Sequence, residues 1–260
     1  MLLERYLARV GLDGSDVSLA TLQRAHVASV PYENLDIPLG REIRLDVDSL
    51  IGKLIDARRG GYCYEQNSLL AAVLEEVGVS FTRHLGRVRL GDPISPRPAT
   101  HMVLIVDGCV VDVGFGSATP LGPVPLGDEA TYGGWTWRTE RRVAPEGDEV
   151  WAMLLGDVLL YTFSSERRHP VDYVTPNHFS STHPLSVFTQ HITVQRSYEH
   201  VQRTLSNLEL TDRFPDGRAE VTAIDVADYA VVLRELGLDL PSEDLGLLSA
   251  RIGPRTARDP

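Results

Sequence analysis

The chain has 260 residues, 43% hydrophobic and 23% charged, which is enough to bury a sizeable core in one large domain or two to three small ones. Its 36 acidic and 25 basic residues give a net charge of −11, which makes nucleic acid and anionic membranes poor candidate partners. Two cysteines are too few for a disulfide-stapled secreted framework, and no stretch is as apolar as a signal peptide or a membrane span. We therefore predict a soluble, cytoplasmic protein with free thiols.

The predicted elements divide the chain into a helical, a β and a mixed part. Apolar residues at helical spacing predict four helices in the first eighty residues, and the fourth begins near Cys63 and ends at Gly78. Strands rich in β-branched residues follow from Phe81 to Phe163, where Asp107-Gly108 predicts a tight hairpin. Helical segments near 171–180 and 225–236 then flank strands near 190–213. The order of these elements predicts an α+β fold with a β-barrel or strongly curled sheet in the middle.

Cys63 is the first candidate for chemistry. It follows Arg59-Gly60-Gly61-Tyr62 and opens the fourth predicted helix. A helix N-terminus presents unpaired amide groups and partial positive charge, which stabilise a thiolate. The two glycines allow a sharp turn and a close approach to a substrate. For Cys63 alone, a buried and inert small residue is an equally good interpretation.

The predicted hairpin brings two further polar residues together. A two-residue turn at Asp107-Gly108 pairs position 103 with 112, and positions 101 and 103 share a face because strands alternate. His101 and Asp112 are then diagonal neighbours, roughly 7–8 Å apart at Cβ. A carboxylate on one ring nitrogen supports the imidazolium that forms when the other takes a thiol proton. Each residue alone has an ordinary structural interpretation, but together they predict a Cys63, His101, Asp112 triad for acyl transfer. No CxxC or HxxxH spacing predicts a metal site.

The segments around these residues resemble the arylamine N-acetyltransferase family. The order Cys, His, Asp is also that of papain-like and transglutaminase-like enzymes. The resemblance is carried by five segments in the family's order: Val30–Leu35 (VPYENL), Arg59–Asn67 (RGGYCYEQN), Thr100-His101, Asp112–Gly116 (DVGFG) and Ser181–Pro184 (STHP).

The resemblance implies a three-domain fold around a papain/transglutaminase-like Cys-His-Asp core. We expect a helical bundle at 1–79 carrying the nucleophile, a β-barrel at 80–170 carrying His and Asp, and an α/β lid at 171–260. It implies a ping-pong reaction without a bound cofactor or metal, in which a thioester acylates the cysteine and an arylamine removes the acyl group. Phe115 and Gly116 are implied substrate-binding residues. We expect structural roles for Glu65, His178 and His183.

The acyl donor is a separate question, because the family has two branches. One branch takes acetyl-coenzyme A; the other comprises amide synthases of ansamycin (rifamycin-type) antibiotic biosynthesis, which take a polyketide from an acyl-carrier protein and release a macrolactam. The chain is short for the first branch, and Gly116-Ser117 stands where acetyltransferases commonly have two glycines. We therefore favour the amide synthase, with the acetyl-coenzyme A enzyme as the alternative. Two alternatives from other functional classes stay open, a cysteine hydrolase and a catalytically silent binding module.

Overall fold

The computed structural model describes residues 1–92, 94–145 and 147–252. This part of the chain contains helices and two antiparallel sheets. The α-helices are α1 (Leu2–Val10), α2 (Leu19–Ser29), α3 (Val47–Leu50), α4 (Cys63–Glu76), α5 (Val174–Thr182), α6 (Val187–Gln190), α7 (Tyr229–Glu235) and α8 (Ser242–Ile252). Helix α3 runs directly into a π-helix at Ile51–Asp56. None of the helices within these residues is long and apolar enough to cross a membrane.

The larger sheet has eight strands and curls into a nearly closed barrel. Its strands are β2 (Thr82–Val88), β3 (Ala99–Val106), β4 (Cys109–Val111), β5 (Val124–Pro125), β6 (Glu129–Tyr132), β7 (Trp135–Val143), β8 (Glu149–Leu155) and β9 (Val158–Phe163). They are hydrogen-bonded in the order β5-β4-β3-β2-β9-β8-β7-β6, and the two edge strands, β5 and β6, lie against each other. The curled sheet predicted for the middle of the chain is confirmed.

The smaller sheet combines a strand from the N-terminal helical region with four strands from the last third of the chain. Its strands are β1 (Tyr32–Glu33), β10 (Thr193–Ser197), β11 (Gln202–Ser206), β12 (Glu209–Arg213) and β13 (Ala219–Ala223), in that order across the sheet. Because β1 pairs with β10, the N-terminal helical region contributes a strand to the sheet of the last third. The sequence pattern did not reveal β1, since two residues are too few for strand periodicity to appear.

Helix α4 lies at the centre of the molecule. Ten of its 14 residues are buried, including Leu69, Leu70, Val73 and Leu74, and it packs against β3 of the barrel. A helix that is buried on most of its circumference belongs to the core rather than to the surface. Its first residue, Cys63, is therefore part of the main hydrophobic core, which the helix shares with residues of the barrel.

The β3–β4 hairpin has the predicted register. Asp107 and Gly108 both have positive φ, 47° and 76°, as a type I′ turn requires. Leu104 pairs with Val111, and the ladder continues to the turn. Strand β4 ends at Val111, so Asp112 lies one residue beyond it, where the backbone turns into a loop.

The predicted domain boundaries remain a proposal. The first, between residues 79 and 80, falls between the end of α4 and the start of β2. The second, between 170 and 171, falls inside a 3₁₀ turn at Pro170–Tyr173. The last eight residues of the predicted lid, 253–260, lie outside the described part of the chain.

Candidate active site

Cys63 is placed as the sequence predicts, at the first position of α4. It is only 3% exposed, and its Sγ lies 3.6 Å from the carbonyl oxygen of Thr100, the residue before His101. The first amide groups of a helix have no intrahelical partner, and the helix dipole is positive at this end.

His101 and Asp112 form a short, buried ion pair. His101 Nε2 lies 2.6 Å from Asp112 Oδ2, and the two residues are 2% and 0% exposed. Burial lowers the pKa of His101, but the charge and hydrogen bond of Asp112, with a hydrogen bond to Cys63, raise it well above its usual value. The imidazole thus binds the carboxylate, and Cys63 lies against the residue before His101, so the three predicted residues come together.

Asn67 was not assigned to the site by its sequence. Its Nδ2 donates to Asp112 Oδ1 at 2.9 Å, and the Gly114 amide donates to the same oxygen at 2.9 Å. Burial raises the pKa of Asp112, but the charge and hydrogen bond of His101, together with these two donors, lower it below its usual value. One signal was available, because a residue four positions after Cys63 lies on the same face of the helix.

Aromatic rings enclose the imidazole on the barrel side. The ring centroids of Phe115 and Tyr161 lie 5.0 Å and 4.7 Å from that of His101, and the Phe115 ring meets it edge-on. Burial, followed by the charge of Asp112, raises the pKa of Tyr161, so its hydroxyl stays protonated beside the carboxylate. Tyr161 is a further residue that sequence reasoning missed, since it appeared only as one apolar position of a strand.

The two predicted substrate-binding residues lie on the loop that follows Asp112. Phe115 is half-buried against His101, whereas Gly116 has a φ of 78° and no room for a side chain because Gln195 fills that space. Gly114 is equally constrained, since a Cβ there would lie 2.7 Å from Cys63 Cα. The loop therefore approaches the nucleophile through backbone atoms, and Phe115 supplies the side chain.

A network of buried ion pairs holds the turn that leads into α4. Arg59 binds Glu33 at 2.7 Å and Asp36 at 3.2 Å, and Lys53 binds Asp36 and Glu65 at 2.7 Å each. The other oxygen of Glu65 accepts from the amide of Tyr62 at 3.1 Å, which caps the helix next to Cys63. Burial raises the pKa of Glu65 to about 7. Glu65 thus has the structural contacts that we expected.

The two histidines that could be mistaken for catalytic groups lie elsewhere. His178 and His183 are exposed on or next to α5, and the His183 ring stacks on Phe179 with centroids 4.6 Å apart. Neither has a contact with Cys63, His101 or Asp112 within the described residues. In that same part of the chain, His, Cys, Asp and Glu side chains form no group that could hold a metal ion.

The chain is similar to known proteins over most of its length. The N-acetyltransferase family model matches residues 17–245. The arylamine N-acetyltransferase of Mycolicibacterium smegmatis is 43% identical over 255 residues, covering 90% of this chain and 91% of the relative. The structure of the Mycobacterium abscessus enzyme superimposes with a TM-score of 0.90 at 34% identity over 97% of this chain and 95% of that one. A Mycobacterium marinum arylamine N-acetyltransferase in complex with CoA is similar too, with a TM-score of 0.85 at 31% identity over 96% and 98% of the two chains.

The fold and these matches define an acyltransferase. Within that class, the chain belongs to the arylamine N-acetyltransferase family, as the five sequence motifs predicted. The three-domain fold of the family is confirmed as well.

Proposed function

We propose that this protein transfers an acetyl group from acetyl-coenzyme A to an arylamine, with Cys63 as nucleophile, His101 as acid and base, and Asp112 as its orienting carboxylate. The observation that carries the proposal is the buried cluster in which His101 binds Asp112 and Cys63 Sγ lies 3.6 Å from the carbonyl of Thr100, the residue before His101. The relatives are named arylamine N-acetyltransferases, and one related structure is described as a complex with CoA. Phe115 and Gly116 would line the substrate path beside His101.

The first half-reaction forms an acyl-enzyme. The Cys63 thiolate attacks the thioester carbonyl, and the tetrahedral oxyanion collapses as the C–S bond to coenzyme A breaks. The imidazolium of His101 gives its proton to the departing thiolate. Asp112 keeps the ring oriented and stabilises its positive charge before that transfer.

The second half-reaction transfers the acetyl group to the amine. The arylamine nitrogen attacks the thioester on Cys63, and neutral His101 removes the proton that the nitrogen loses as the amide forms. The C–S bond to Cys63 then breaks, and the thiolate and imidazolium are regenerated. The burial of Cys63 and His101 keeps water away from the acyl-enzyme, which favours aminolysis over hydrolysis.

The amide synthase that we favoured from the sequence has less support than the acetyltransferase. Its length argument fails, because this chain and the Mycobacterium abscessus acetyltransferase cover 97% and 95% of each other. Gly116-Ser117 remains as a departure, and here the Ser117 amide donates to Gln195. A carrier-protein donor and a polyketide substrate therefore stay a prediction, which the following experiment tests alongside the main proposal.

The experiment is intact-protein mass spectrometry after brief exposure to acetyl-coenzyme A, using wild type, Cys63→Ala and Cys109→Ala. We expect one acetyl group on wild type and on Cys109→Ala, and none on Cys63→Ala, and we expect an added arylamine to remove it as the acetamide. A protein that ignores acetyl-coenzyme A but cyclises a long aryl-amine thioester would be an amide synthase. Release of acetate without amide formation would identify a hydrolase, and labelling of Cys63→Ala would overturn the mechanism.

A further inference from the structure

A cleft that Cys63 does not line lies where α2, the barrel and the smaller sheet meet. It has a volume of about 160 Å³ and is lined mainly by apolar surface. Its lining includes Arg24, Ala28, Leu121, Tyr132, Tyr198 and Glu199. A cavity of about 150 Å³ holds one benzene molecule, so this cleft has room for a single aromatic ring.

The walls of this cleft are fixed by hydrogen bonds. The Tyr132 hydroxyl donates to a carbonyl of the 120–123 loop at 2.8 Å. Gln23, which is completely buried, donates to the carbonyls on either side of Leu121 at 3.0 and 3.1 Å. Ser197, which also lines the cleft, donates to the carbonyls of the turn at 116–117 at 3.3 and 3.2 Å. A ligand would therefore meet a formed site and would not have to order its walls.

The cleft is separate from the candidate active site. Gln23 also donates to the main-chain carbonyl of Asp112 at 3.2 Å, but Asp112 itself does not line the cleft. Neither Cys63 nor His101 lines the cleft, and Phe115 does not line it either. A molecule bound there would leave the thiol and imidazole untouched.

The charges at the cleft select an anion with one negative charge. Arg24 forms no ion pair with any other described residue, and its positive charge acts on the neighbouring Tyr132 hydroxyl. A guanidinium matches a carboxylate through two parallel hydrogen bonds. Glu199 lines the same cleft and would repel a second negative charge. A ligand with one aromatic ring against the apolar walls and one carboxylate beside Arg24 would match both the shape and the charges of the cleft.

We propose that this cleft is a second binding site, specific for a monocyclic aromatic carboxylate. The ring would lie against Leu121 and the two tyrosines, and its carboxylate would pair with Arg24. Ala28 is an exposed residue of α2 that forms part of the wall, so we expect a larger side chain at this position to occupy the space of the ring.

The test is titration of the full chain with benzoate, followed by protein NMR or calorimetry. We expect saturable binding to wild type that is weakened at least tenfold by Arg24→Gln and by Ala28→Phe. Arg234→Gln and Ala250→Phe are matched controls, because both positions are exposed on other helices and neither lines the cleft. These controls should bind benzoate as wild type does, and benzamide, which has the same ring without the charge, should bind at least tenfold more weakly.

Three results would overturn the proposal. Wild type without saturable binding would remove the site, and benzoate binding that survives both Arg24→Gln and Ala28→Phe would place the ligand elsewhere. Equal affinity for benzamide and benzoate would eliminate the role of Arg24. Mass spectrometry of Cys63 acetylation in the Arg24→Gln and Ala28→Phe variants tests the acetyl transfer separately. Normal acetylation in variants that have lost benzoate binding would show that the cleft and the proposed acetyl transfer are independent.

Discussion

Asn67 connects the helix of the nucleophile with the carboxylate that orients the imidazole. Its side chain is fully buried, its Nδ2 donates to Asp112 Oδ1, and its Oδ1 accepts from the Val113 amide at 3.0 Å. Because Cys63 and Asn67 lie one turn apart on α4, a single rigid element sets the distance between nucleophile and carboxylate. Asn67 does not touch a reacting atom, so it is a positioning residue.

Replacing Asn67 should slow the reaction without removing the nucleophile. For Asn67→Ala we expect kcat/KM to fall about 10- to 100-fold, since a hydrogen bond to a charged group is worth about 1.5–3 kcal/mol. Steady-state kinetics over pH would measure the change, and the pH profile should shift because Asp112 loses a donor. Asn67→Asp, which keeps the size but places a second carboxylate beside Asp112, should be more severely impaired. Unchanged kinetics with an unchanged profile would contradict this role.

The His101–Asp112 pair should make stability depend on pH. The folded-state pKa of His101 is raised, so its stabilising effect is complete below the unfolded pKa of about 6.5 and declines as pH rises towards about 10. The unfolding free energy of wild type relative to His101→Gln should therefore fall between pH 7 and pH 10. Urea unfolding at several pH values would measure it. If the difference in unfolding free energy between wild type and His101→Gln stays constant across this range, Asp112 does not raise the pKa of His101.

The proposed catalytic pair His101 and Asp112 was accessible to sequence reasoning because it depends on local geometry. The turn at Asp107-Gly108 fixes the hairpin register, and the register alone places His101 beside Asp112. Asn67 and Tyr161 were less accessible, because their contacts depend on how α4 and β9 pack against β3 and not on any spacing along one element. Tertiary neighbours of this kind become visible only when the elements are assembled.

At the level of elements, the π-helix and α4 are joined by a buried charge. Lys53 on the π-helix binds Glu65 on α4 and Asp36 on the preceding loop, each at 2.7 Å. Its stem and ammonium are largely buried, with 17% of the side chain exposed. Arg59, which is closer to Glu65 along the chain than Lys53 is, binds Glu33 and Asp36. Spacing along the chain could not distinguish these pairings.

Removing Lys53 should be costly because it leaves the buried carboxylate of Glu65 without its cation and takes one of the cations that Asp36 binds. For Lys53→Met we expect a loss of about 3–5 kcal/mol in unfolding free energy, measured by urea denaturation. The double variant Lys53→Met/Glu65→Gln should recover part of that loss. The control is Arg5→Gln, which breaks an ion pair with Asp56 whose side chains are about half exposed and should cost less than about 1 kcal/mol. Equal losses in Lys53→Met and Arg5→Gln would contradict the role of burial.

At the scale of the whole molecule, a segment from the last third of the chain packs against the residue that precedes Cys63. The Phe188 ring of α6 packs edge-on against Tyr62, the residue before Cys63, with centroids 5.4 Å apart. Asn34 holds this segment by donating to the carbonyls of Phe188 and His191 at 2.9 and 2.8 Å. This contact between residues more than 150 positions apart could not be predicted from the sequence, although both segments lie in or next to recognised motifs.

Weakening that attachment should expose the nucleophile. Asn34→Ala removes both donors and leaves the Thr193 amide, which Asn34 Oδ1 accepts at 2.8 Å, without its partner. Because each lost hydrogen bond is worth about 1 kcal/mol, we expect Cys63 to react with a thiol reagent about 5-fold faster or more. Peptide mass spectrometry of alkylation rates would measure this, and Cys109, half-buried next to the turn of the β3–β4 hairpin, is the internal control. If both cysteines accelerate equally, the variant has loosened the whole fold. If Cys63 keeps its wild-type rate, the segment around Phe188 does not govern access to the site.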